Sequence, residues 1–80
     1  MSAYDYYDAA RTIASRLSAR GLAEWAERIE VSIAAGGSSG EILMRIRWNL
    51  QELLNTRADL SIGLKESIQD LVTRINSSGV

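Results

Sequence analysis

Residues 38–55 read SSGEILMRIRWNLQELLN, and the order of residues in this stretch decides the fold. Ser38 and Glu41 stand at the spacing of a capping box, with Ser39 as a competing cap, so a helix begins here. Ile42, Leu43, Ile46, Leu50, Leu53 and Leu54 then recur at intervals of three and four, which is one face of a helix running to about Asn55. This is the densest apolar face in the chain. At about 0.8 kcal/mol per buried methylene it is the expected centre of the core. Trp48 breaks the pattern. It falls about 180° from the middle of the stripe, with Met44 one turn before it and Glu52 one turn after. If the segment is helical, either this Met and Trp pair is exposed and awaits a partner, or the helix is central enough to be wrapped on both sides.

Working outward, three more helical segments follow from the same spacing. The expected boundaries are roughly 3–20, 22–35, 39–55 and 60–76. The first has Ser2 as a plausible N-cap and an inward stripe of Tyr6, Ala10, Ile13 and Leu17, and it ends near Arg20 with Gly21 in the left-handed conformation. The second buries Leu22, Trp25, Ala26, Ile29 and Ile33, carries an outer Glu24 to Arg28 pair, and stops at Gly36 and Gly37. The fourth presents Leu60, Leu64, Ile68, Leu71, Val72 and Ile75, leaving Ile62 off the stripe, and frays at Ser77, Ser78 and Gly79. Helices of about 15 residues are marginal alone in water, so they must pack together or against another chain. Short connections favour antiparallel neighbours. The expectation is an all-α, compact, bundle-like four-helix domain, mostly antiparallel, with the break at Arg20 and Gly21 open to being a bend.

Composition narrows the chemistry. The chain has 80 residues, no cysteine and no histidine, which removes disulfides, nucleophilic triads, the usual zinc sites and the commonest general base. No cofactor or metal is expected, and no enzymatic activity. Nine basic residues against ten acidic ones give a net charge of −1, too little positive charge to recruit nucleic acid or an anionic membrane. The opening MSAYDYYDAAR lacks the basic start and apolar run of a secretory signal, and no stretch approaches the ~20 apolar residues of a membrane span. A cytoplasmic protein is expected. The GGSSG run before Glu41 resembles an anion cradle only in part. It follows no strand, lacks the lysine of a phosphate loop and is followed by a carboxylate, so it reads as a connector with a cap. Arg45, Arg47 and Arg57 project around their helix rather than along one face.

Two patches remain as candidate binding surfaces. One is Met44, Arg47 and Trp48, residue types that dominate or adapt to protein interfaces. The other is Tyr4, Asp5, Tyr7 and Asp8, where tyrosines off the core stripe stand among carboxylates that could steer a basic partner. The competing readings are that the tyrosines cover a thin first helix and that the aspartates complement its dipole.

The runs LAEWAERI at 22–29 and GGSSGEILMRIRW at 36–48 resemble small all-helical bacterial proteins, some encoded beside toxin genes. The likeness spans roughly residues 20 to 54. Size, helix number and the acidic tyrosine patch also look like the immunity proteins that neutralise nuclease toxins. The tyrosine-tyrosine-proline turn of that group is impossible in a chain without proline, so no residue is carried over. The resemblance implies a protein-binding module that masks a toxin or similar target. A homo-oligomeric structural or regulatory module, paired through Met44 and Trp48, is the alternative.

Overall fold

The computed structural model describes residues 4–79. Its elements are α1 (Tyr6–Ala19), α2 (Ala23–Ala34), α3 (Ser39–Thr56) and α4 (Ile62–Ser77). The molecule measures 32 × 23 × 23 Å. An 18-residue helix such as α3 is about 27 Å long and a helix with its side chains about 10–12 Å wide, so the helices lie side by side, two by two. Contacts run around a ring, α1 with α2, α2 with α3, α3 with α4, and α4 back to α1. Side-chain bonds give the directions. Tyr6 at the start of α1 reaches Arg74 at the end of α4, and Arg16 near the end of α1 reaches Ser67 early in α4. Tyr7 and Ser39 bring the starts of α1 and α3 to one end, which opposes α3 to α4, where Arg47 reaches Asn76. Between α2 and α3 the order reverses, Arg45 reaching Gly36 and Asn49 reaching Ser32. Each neighbouring pair around the ring is antiparallel, as expected of an all-α bundle with short connections.

The core is the set of stripes read from the sequence. Leu17, Ile29, Ile46, Leu50, Leu53, Leu64, Ile68, Leu71 and Ile75 are fully buried, and Tyr6, Leu22, Trp25, Ile33 and Leu54 pack half-buried against them. The corner between α1 and α2 is a true turn and not a bend. Gly21 has φ +80°, the Leu22 amide donates to Leu17 O at 2.9 Å, and the Gly21 amide donates to Ser18 O at 3.1 Å. That is the paired bonding of a Schellman ending, and it satisfies two carbonyls that α1 leaves open.

Two boundaries differ from the sequence reading. Ser2 lies outside the described residues, and the cap of α1 is Asp5, whose Oδ1 accepts from the Asp8 amide at 3.0 Å. The fourth helix starts at Ile62 rather than near residue 60, because Ser61 caps the Leu64 amide at 3.4 Å. Leu60 is buried all the same, entering the core from the approach segment. Ile62, off the stripe, is exposed. Among the described residues no helix is long and apolar enough to cross a membrane.

The start of α3 is a complete capping box. Ser38 Oγ accepts from the Glu41 amide at 3.2 Å, and Glu41 Oε1 accepts from the Ser38 amide at 3.2 Å. The Ser38 amide, helped by its hydroxyl, holds the Glu41 carboxyl below the usual glutamate range. Ser38→Ala is expected to lose about 1 kcal/mol in urea denaturation. A depressed folded pKa contributes stability above the unfolded value and loses it as pH falls through the folded one. Acid titration of Glu41→Gln should therefore show a shallower fall in stability below the ordinary carboxylate range than wild type.

Candidate functional site

Trp48 projects away from the core with 61% of its surface exposed, and Met44, one turn back on the same face, is 49% exposed. Of the two alternatives that the sequence leaves open for this pair, the structure has the exposed one. What the sequence did not show is that Trp48 forms one wall of a groove of about 550 Å³ between α2 and α3, opposite Glu27, Val31 and Ala35. Val31 is also exposed, at 55%, so a short apolar strip of Val31 and Ala35 faces the tryptophan across the groove.

The floor of this groove is polar, bonded and rigid. Ser32, the buried polar residue of α2, donates its hydroxyl to Arg28 O at 2.7 Å and accepts from Asn49 Nδ2 at 3.0 Å. Asn49 also donates to Arg45 O at 3.0 Å. Arg45 closes the arrangement. Its Nε and Nη2 donate to Ser32 O at 3.3 and 3.0 Å, and Nη2 also donates to Gly36 O. α2 has no basic residue in its own last turn, so the cation that complements the negative end of its dipole is supplied from α3. Every buried side-chain nitrogen and oxygen among the described residues has a partner, and the floor makes no demand on a ligand.

The three arginines that project around this helix are individually engaged. Arg45 clamps α2, Arg47 donates to Asn76 Oδ1 at 2.8 Å, and Arg57 pairs with Asp59 at 3.0 Å. Arg47 is consequently turned toward α4, while Trp48 faces the α2 side. The structure brings Trp48 together with Val31 and Glu27 instead. Arg28, which also lines the groove, lies 4.3 Å over the Trp25 ring and 3.9 Å from Glu24.

The tyrosine patch occupies the end of the bundle where α1 and α3 begin and α4 finishes. Its members are largely at work within the molecule. Asp5 is the helix cap. Tyr4 meets Tyr6 edge to face at 4.9 Å and lies 4.3 Å under the Arg74 guanidinium, which Asp70 holds at 2.9 Å. Burial pushes the Tyr4 phenol up, with Arg74 pulling it partly back. Tyr7 is half-buried and donates to Ser39 Oγ at 3.3 Å. Asp8 is exposed on the first turn of α1. A second hollow of about 460 Å³ lies among Tyr4, Tyr7, Ser39 and Leu43, and it shares no residue with the groove beside Trp48.

Ser32, Asn49 and Val31 are the site residues that sequence reading missed. The available signal was Ser32 itself, a polar residue one turn after Ile29 on the buried stripe of α2, which calls for a bonding partner. Among the described residues no three side chains of the His, Cys, Asp and Glu types gather as metal ligands do. Comparison of the chain with family profiles, with curated proteins and with solved structures finds no match.

Proposed function

We propose that this chain is a non-enzymatic protein-binding module, an immunity protein or similar small inhibitor of bacterial type, that masks a toxin by covering its working surface. The observation that carries the reading is the exposed Trp48, with Met44 on its own helix and Val31 across the groove, set on a hydrogen-bonded floor. Tryptophan supplies large contact area, and a rigid backing reduces the ordering cost of binding. The sequence has neither histidine nor cysteine, which supports masking over chemistry as the mode of action. Of the two candidate surfaces, the groove side is favoured over Tyr4, Asp5, Tyr7 and Asp8, because Asp5 and Tyr4 already serve α1 and α4.

The test is coexpression with the toxin-like product of a neighbouring gene. Protection of the cells and a one-to-one complex are expected. Trp48→Ala should weaken the complex at least tenfold without loss of stability, and Tyr7→Phe should leave it unchanged. Failure to bind or protect would sink the toxin assignment.

A further inference from the structure

We infer that the hollow where α1 and α3 begin is a binding site for a quaternary ammonium group, the trimethylammonium head of an organic cation. It lies apart from the groove beside Trp48 and does not depend on the partner proposed there. Its volume of about 460 Å³ falls inside the range of small-molecule sites, about 300–1,000 Å³. The three tyrosines of the chain all line it, together with Asp5, Ser39 and Leu43. Tyr6 and Tyr7 are adjacent on the first turn of α1 and so diverge by about 100°. The Tyr6 hydroxyl donates to Arg74 O of α4 at 3.4 Å, and the Tyr7 hydroxyl donates to Ser39 Oγ of α3 at 3.3 Å. Tyr4, before the cap, closes on Tyr6 edge to face.

Charge and hydrogen bonding select the ligand. Of the lining residues only Asp5 is charged, and neither it nor Asp8 has an ion-pair partner among the described residues. Asp5 caps α1 through Oδ1, which leaves its negative charge in place. The cations of this end are engaged elsewhere, Arg74 by Asp70 and Arg47 by Asn76, and neither lines the hollow. Arg74, 4.3 Å over the Tyr4 ring, makes the kind of contact by which such a ring attracts a cation. Helix dipoles offset one another here, because α4 ends where α1 and α3 begin, and Asp5 and Glu41 stand on the two positive ends. An anion finds no lysine or arginine in the lining, and two of the three tyrosine hydroxyls are already donating. A primary ammonium brings three donors that each need an acceptor. A quaternary ammonium brings none, and gains from aromatic rings and a carboxylate alone.

The experiment titrates the full chain with choline and with the neutral alcohol in which carbon replaces the choline nitrogen. Every tyrosine ring signal reports on this hollow, and the Trp48 indole is the outside reference. Choline is expected to shift the tyrosine signals, to bind at least tenfold more tightly than the alcohol and to weaken with salt, leaving the indole in place. Asp5→Asn keeps a capping side chain while removing the charge, and should lower choline affinity at least fivefold with no change for the alcohol. Tyr4→Leu should lower it at least fivefold as well. A trimethyllysine peptide that binds more tightly than choline would place the group on a protein chain, and one that binds no better would leave it on a free small cation. Equal affinity for choline and the alcohol, or for choline and ethanolamine, would overturn the inference. So would unchanged affinity in Asp5→Asn, shifts centred on the Trp48 indole, or no binding of choline. None of these results touches the coexpression test, since the hollow and the groove share no residue.

Discussion

Leu50→Ala is expected to lower the stability of this domain by about 2–5 kcal/mol, the range for deleting a fully buried leucine whose cavity collapses only in part. Leu50 is completely buried on the helix that packs against both α2 and α4. A chain of this length holds about 4–12 kcal/mol in total, so the substitution removes a large share of it and brings the variant near unfolding at 37 °C. Urea denaturation followed by far-ultraviolet circular dichroism measures the loss. An unchanged m-value would assign it to the native packing and not to a looser denatured chain. Trp48→Ala on the same helix is the matched control, expected to stay within about 0.5 kcal/mol of wild type because its side chain leaves no cavity behind. If the two variants proved equally destabilised, α3 would not be the centre of the core and Trp48 would not be free for a partner.

The contrast between those two residues also shows which features were legible in the sequence. The stripe from Ile42 to Leu54 and the Ser38 and Glu41 box depend on spacing within one helix, and spacing is written in the chain. The exposure of Ile62 fits the same geometry, since it lies off its stripe. That of Trp48 needed the packing of α3's neighbours, because a central helix could be covered on both faces. Leu60 was assigned to a helix it only precedes, because apolar periodicity counts a buried residue alike whether it sits in a first turn or just before the cap. Ser2 and Asp5 are both capping residues, and position alone does not choose between them. The groove was not legible at all. That Val31 faces Trp48 depends on the register of α2 against α3, and register is set by how the two stripes interlock, not by either stripe alone. Likewise, projecting Arg45 around its helix gives its angle but not the carbonyls it meets there.

Arg45→Met is the substitution that tests this register most directly, and a loss of about 2–3 kcal/mol is expected. The thioether replaces much of the side chain's apolar stem but none of its donors, so Ser32 O, in a buried residue, loses the bonds at 3.0 and 3.3 Å that Arg45 supplies. Gly36 O loses its bond to the same guanidinium. Hydrogen bonds from a charged donor contribute about 1.5–3 kcal/mol each and are not additive when they share one group, which fixes the range. Arg45→Lys should recover only part of the loss, since an ammonium is a point charge and lacks the planar fork that spans both carbonyls. Amide hydrogen exchange gives the local readout. Ala35 and Gly36, whose amides donate to Val31 and Ile33 at 2.9 and 3.2 Å, should exchange faster in Arg45→Met, while the amides of α4 change only with global stability. Loosening that end of α2 also frees the wall that holds Val31 opposite Trp48, so the variant should bind a partner more weakly although Trp48 is untouched. A variant as stable as wild type, with unchanged exchange at Ala35 and Gly36, would mean that apolar packing alone sets the register and that the arginine clamp contributes nothing to the shape of the groove.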